Sequence, residues 1–215
     1  MRHRRALHCW AAVSVVSSQM ALSPASPARL SVMGSDVVAF DSRDEVFAAV
    51  MARGGAAGWE PDTAELLRGV LRPGDLAVDV GAHVGTNAVA MARAVGARGR
   101  VIAVEPVRDT YLLLCATVAL SGLGGVVAPV RAAAGDGRAA LLDAPVFNPE
   151  LGGGNIMGVG VGHAGTWVAA GSRNVARVEP VPARTVDALV ADEAAAARHE
   201  NIPLALKSTF ASEGV

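Results

Sequence analysis

The sequence predicts an α/β fold, a doubly wound parallel sheet, and three observations carry that expectation. Residues 76–80 and 100–104 are short apolar runs of the kind found in strands buried on both faces. Between them Gly81 and Gly85 bracket a sharp turn. Residues 86–95 follow with apolar side chains at helical spacing, and Gly96 is placed to end that helix. The second run closes on Glu105-Pro106. Proline cannot continue a ladder, so the chain turns out of the sheet there with a carboxylate at the strand tip. Together these make one βαβ unit, a crossover that is right-handed almost without exception.

The pattern has a chemical meaning. A nucleoside cofactor needs backbone it can approach closely, hence glycines at 81 and 85. It also needs a carboxylate at the next strand tip to accept from the ribose hydroxyls, hence Glu105. The separation is the roughly twenty residues of such sites. A pyrophosphate-binding turn has glycines throughout, as G-x-G-x-x-G. Here Ala82 and His83 stand where its middle glycine would be, and Asp79 sets a negative charge just before the turn. Asp79 suits an ammonium better than a phosphate. The turn therefore favours S-adenosyl-L-methionine over NAD, and the remaining alternative is a turn that serves packing alone.

Taken in order, the chain begins differently from its remainder. Arg2, Arg4 and Arg5 give a basic start, residues 6–16 are mostly apolar, 23–28 are small residues and prolines, and no acid precedes Asp36. Residues 1–34 are expected to be a targeting segment, secretory or organellar, or a disordered leader without an address. With such a segment the protein enters an organelle or the secretory pathway; otherwise it is cytoplasmic. The apolar run is too short for a stable membrane span, which takes about 20 residues.

Residues 36–58 read as a strand-and-helix appendage, the helix capped by Asp41 or Ser42 and stopped at Gly54-Gly55. Residues 61–71 read as a helix with Pro61 in the first turn, Asp62 and Glu65 at its positive end, and an apolar face of Leu66, Leu67, Val70 and Leu71. Beyond Glu105, residues 108–120 form a further helix ending at Gly122, and 126–130 the third strand. Arg138 to Leu142 reads as another strand after an Asp136-Gly137 turn. Residues 147–171 are a long glycine-rich loop without the Lys-Ser/Thr of a phosphate loop; loops of this length serve as lids or are disordered. Residues 175–181 alternate as a strand, held to a sheet edge by Pro180 and Pro182. Thr185 caps a helix running to about His199, and 202–206 make the fourth strand of the main sheet.

Whole-chain properties narrow the partners. At 215 residues the chain is expected to be one domain, or one domain plus a leader, and a net charge of −1 points to neither nucleic acid nor an anionic membrane. Its two cysteines, Cys9 and Cys115, have no disulfide framework or zinc spacing, so no metal is expected.

Asp79-Val80-Gly81-Ala82-His83-Val84-Gly85, followed by Val101-Ile102-Ala103-Val104-Glu105-Pro106, resembles motif I and the post-I acid of class I S-adenosylmethionine-dependent methyltransferases. Within that class it is most similar to the FkbM-type enzymes, whose hallmark is a D-V-G-A-N-x-G turn preceded by W/Y-E-P and P-G-D. This chain has Trp59-Glu60-Pro61 and Pro73-Gly74-Asp75, with His83 where the family usually has Asn. The resemblance runs from Trp59 to Lys207, strong in its first half and patchy later. It implies a Rossmann-like methyltransferase sheet and methyl transfer to an oxygen of a small molecule or glycan. It places Asp79, Gly81, Ala82, His83 and Gly85 around the methionine end of the cofactor, Glu105 on the ribose, and Asp136 by the adenine amine, or else in a plain Asp-Gly turn. Glu60 matches an acid of the family and serves either the helix dipole or the cofactor. Asn155 and Lys207 are substrate-side candidates, whereas His163 is read as solvated.

The family pattern K-I-D-V-E-G is only partly present: Lys207 matches, Thr209 replaces the aspartate, and Glu213-Gly214 falls two positions late. Seven strands are implied and about four are supplied, so residues 35–215 are expected to be a partial methyltransferase domain, the first half of the sheet with its N-terminal helical appendage. A truncated product, a fragmentary gene model and a protomer completed by a partner all fit. Two other functions compete: a catalytically inactive methyltransferase-like binding module, and an NAD-dependent oxidoreductase. The last lacks G-x-G-x-x-G and a Tyr-x-x-x-Lys pair, since Tyr111 is followed by Cys115.

Overall fold

The structure, a computed structural model, describes residues 27–54, 59–147, 175–200 and 205–206. At its centre is a parallel sheet of β3 (Asp75–Val80), β4 (Arg100–Val104), β5 (Val127–Val130) and β9 (Ala205–Leu206), in the order β5-β4-β3-β9. Helices cover both faces, which is why β3 and β4 are apolar at successive positions rather than at alternate ones. On one face Ala77, Val101 and Ala103 share a core with Leu67 of α2 (Pro61–Val70), Met91 and Val95 of α3 (Thr86–Val95), and Leu114 and Val118 of α4 (Arg108–Leu120). On the other, Leu76, Val78, Ile102 and Val104 pack with Leu189 of α5 (Val186–Glu200). The doubly wound, Rossmann-like sheet expected from the sequence is thus present.

A hairpin, β1 (Ala28–Met33) with β2 (Asp36–Asp41), and α1 (Glu45–Gly54) precede this sheet. β1 lies within the stretch set aside as leader, so residues 28–33 are part of the folded body; residues 1–26 lie outside the described residues. The outer edge of β2 is covered by a helix rather than by another strand. Ser121 Oγ accepts from the Val37 N–H at 3.0 Å, and Thr117 Oγ1 accepts from the Ala39 N–H at 3.0 Å. One helical turn separates the two hydroxyls and one β repeat the two amides, so the spacings match and the edge is blunted. Arg93 clamps the same corner, donating to Asp36 and, at 3.0 Å, to the Ser121 carbonyl; the Asp36 hydrogen bond raises its pKa.

The cap of α1 differs from expectation. Asp44 Oδ1 accepts from the Phe47 N–H at 3.1 Å, whereas Asp41 is occupied by Arg43, whose Nε donates to it at 3.0 Å. Chain geometry chose among three neighbouring cap residues that composition could not rank.

β6 (Ala133–Ala134), β7 (Leu141–Phe147) and β8 (Val175–Arg184) form a second sheet, ordered β6-β8-β7. β7 starts three residues later than Arg138, because the chain still bends at Arg138 and Ala140. β8 is longer than read: over residues 175–182 it pairs, among the described residues, with β7 alone, as expected of an edge, and only Ala183 and Arg184 also meet β6. Its prolines are tolerated because β6 reaches only Ala183 and Arg184, and no described strand pairs with that flank at Pro180 and Pro182. The Ala183 N–H donates to Ala140 on the β7 side, so the prolines, one residue out of phase, aim their missing donors away from β7. Thr185 caps α5 as expected, its Oγ1 accepting from the Ala188 N–H at 3.1 Å. No helix among the described residues is long and apolar enough to cross a membrane.

Candidate cofactor site

The glycine turn leaves the carboxyl end of β3 and bends across β4. The Gly81 and Ala82 N–H groups both donate to the Val104 carbonyl, at 2.9 and 3.0 Å. Three of the turn's five residues have positive φ: Gly81 at 78°, His83 at 51° and Gly85 at 95°. The two glycines serve different ends. A Cβ on Gly85 would lie 2.7 Å from Leu114 Cδ1, so this glycine lets α3 close onto α4. A Cβ on Gly81 would meet nothing within 4 Å, so the bare backbone there faces open space, as a bound ligand requires.

Glu105 holds this geometry. Only 5% exposed, it stands one residue past β4. Its Oε2 accepts from the His83 N–H at 2.9 Å and its Oε1 from the Val107 N–H at 2.9 Å. One carboxylate thereby ties the loop after β3 to the loop after β4. An ionised carboxylate only accepts, the chemistry that the hydroxyls of a ligand need.

Ala82 and His83 turn their side chains inward. Ala82 belongs to the core, and the His83 ring lies edge-on to Phe47 with centroids 5.3 Å apart. Phe47 in turn stacks with Trp59 at 4.9 Å. The bulk of these two residues therefore does not face a ligand, and the steric argument against a phosphate loses its footing; the charge of buried Asp79 remains. Burial lowers the His83 pKa to about 4. Asp44 Oδ2 lies 3.8 Å from its Nε2, too far for a hydrogen bond, and does not offset the loss of water. His83 is a neutral wedge at physiological pH.

Of the other candidates, Asp136 falls among the described residues. Asp136 is largely exposed, between β6 and β7, where its Oδ1 accepts from the Arg138 N–H at 2.9 Å and its carboxylate pairs with the Arg138 guanidinium at 3.3 Å. These contacts are those of a plain Asp-Gly turn. Asn155, Lys207, His163 and the glycine-rich loop lie outside the described residues. Two residues not marked as a pair in the sequence meet at the start of α3: Asn87 Nδ2 lies 3.5 Å from Glu60 Oε2. No spacing rule links positions 60 and 87, because they approach only when α2 packs on α3. Among the described residues no group of three or more His, Cys, Asp or Glu side chains could hold a metal.

Solved structures resemble parts of the chain. An M.jannaschii tRNA m1G37 methyltransferase shares 15% identity over 50% of this chain and 29% of its own, with a TM-score of 0.35. An O-methyltransferase from Bacillus cereus, in complex with SAH, shares 20% identity over 41% of this chain and 42% of its own, with a TM-score of 0.30. The chain spans less than half the length of either, and at this level neither likeness bears on what it does. No curated protein sequence matches it. The family comparison is more decisive: residues 79–202, from the aspartate before the glycine turn through α5, match the methyltransferase FkbM domain. That match covers more than half of the 215 residues, and the chain belongs to the FkbM methyltransferase domain family.

Proposed function

We propose that this chain binds S-adenosyl-L-methionine where β3 and β4 end and transfers its methyl group to an oxygen of a small molecule or glycan. The observation that carries the reading is the Glu105 clamp: a buried carboxylate that ties the loops after β3 and β4 together, at the same strand ends as the open backbone of Gly81. The residues fit the cofactor. Glu105 would accept from the ribose hydroxyls, Gly81 would let the methionine end lie against the backbone, and Asp79 and Gly85 would shape the same wall. Ala82 and His83 would hold the turn from behind, and Asp136 would serve the adenine side. Asn155 and Lys207 stay as substrate-side candidates. When bound, the cofactor supplies an activated sulfonium methyl, so the protein's share is mainly to position a nucleophile in line with it. The net charge of −1 supports a substrate other than nucleic acid.

Calorimetric titration of the full chain with S-adenosylmethionine and S-adenosylhomocysteine tests this. Micromolar binding by the wild type is expected, with loss in Glu105→Ala. Because that variant also frees two backbone N–H groups, Gly81→Ala provides a second reading: its methyl group enters open space and costs only the left-handed strain of about 1 kcal/mol, so thermal melting should show a folded protein that binds both ligands more weakly. A folded wild type that binds neither would refute the proposal. Binding without turnover on any hydroxyl substrate would favour the binding-module reading.

A further inference from the structure

Glu60 precedes α2 in a backbone conformation that its residue type does not favour. With φ 49° and ψ 63° it is left-handed, where a side chain carrying Cβ is strained and glycine or asparagine is the usual occupant. Helix capping does not explain it, since the side chain makes no cap hydrogen bond. Pro61 already sets the helix start, and Trp59 packs against Phe47. Among the described residues no Lys or Arg pairs with the carboxylate. Its neighbour is Asn87, the second residue of α3 and two residues past Gly85. Asn87 Nδ2 approaches Glu60 Oε2 at 3.5 Å, while Asn87 Oδ1 is sealed from solvent and has no partner among the described residues.

A strained backbone thus presents an unneutralised carboxylate at the root of the glycine turn, beside an amide whose acceptor is unused. That is not a self-sufficient structural network, because buried acceptors are normally satisfied. The missing element is a cationic donor. We propose that the Glu60 carboxylate binds the ammonium group of the cofactor's methionine end, with Asn87 as the positioning residue that fixes the carboxylate. This deepens the methyltransferase reading above and rests on it. A cation meeting a hydrogen-bonded carboxylate beside the positive end of α3 also explains why strain persists at position 60: the side chain is held for a ligand rather than for the fold.

Truncating the ligand tests the assignment. The full chain is titrated with S-adenosylmethionine, S-adenosylhomocysteine and 5′-methylthioadenosine, which keeps the nucleoside and sulfur but lacks the ammonium-bearing arm. Glu60→Gln should weaken the first two about 10- to 100-fold, the range of a charge-assisted hydrogen bond, and leave the third unchanged. Glu60→Gly should show the same split while raising the melting temperature, because glycine relieves the left-handed strain. Asn87→Leu should show a smaller split without loss of melting temperature. Unchanged S-adenosylmethionine binding by Glu60→Gln overturns the assignment, as does an equal loss for methylthioadenosine. A folded wild type that binds none of the three overturns the methyltransferase reading and this inference together.

Discussion

Acidification should expose His83 as a specific weak point. Its ring is packed on Phe47, and burial holds its pKa at about 4. In the unfolded chain the same group titrates near its ordinary 6.5. Above that value the ring is neutral in both states and contributes no pH dependence. Between about 6.5 and 4 the unfolded chain takes up a proton that the folded chain refuses, so stability is lost as pH falls through this window. At 1.36 kcal/mol per pKa unit the full loss is about 3 kcal/mol. Urea unfolding at pH 7.5, 6, 5 and 4.5 measures the loss, and His83→Asn isolates it from the other titrating groups. Asparagine tolerates the positive φ and keeps the backbone N–H that Glu105 accepts. At pH 7.5 the variant should be about 1 kcal/mol less stable, for the lost ring contact. By pH 4.5 the order should reverse. A stability gap that stays constant over this range would refute the reasoning, as would an imidazole resonance titrating near 6.5 in the folded protein.

Two further perturbations separate local geometry from packing. Gly81→Ala meets no atom, so its stability cost should be the left-handed strain alone, about 1 kcal/mol, whereas Gly85→Ala adds the clash with Leu114 Cδ1 and should cost about 3 kcal/mol in urea unfolding. Equal costs would mean that the two glycines do the same job. Thr117→Val keeps the shape of the buried side chain but strips the Ala39 N–H of its acceptor, and should cost about 1 to 3 kcal/mol, with Thr117→Ser close to wild type; indifference to valine would show that the hairpin does not depend on α4.

Much of this protein is governed by local rules and was legible along the chain. α3 at Thr86–Val95, β4 at Arg100–Val104 and α4 at Arg108–Leu120 fall where glycine, proline and apolar periodicity place them, because strands buried on both faces and helices ended by glycine depend on neighbouring residues alone. The Gly81 turn and Glu105 belong to the same class, since the carboxyl end of one parallel strand must lie beside that of the next.

Other features depend on which distant segments meet. Asp44 rather than Asp41 caps α1 because Arg43 engages Asp41, and β8 runs on past its proline-bearing edge because its last two residues pair with β6. Ala82 and His83 carry bulk that no pattern could orient; packing against the core and Phe47 turned it inward and moved the pKa of His83. β2 finds its hydrogen-bond partners 78 and 84 residues away, on one face of α4. Glu60 and Asn87, separated by 27 residues, become one site only when two helices dock. Local sequence determined the elements and the glycine turn; tertiary structure decided which side chains of that turn face inward, because orientation and burial arise from contacts between segments that no short-range pattern encodes.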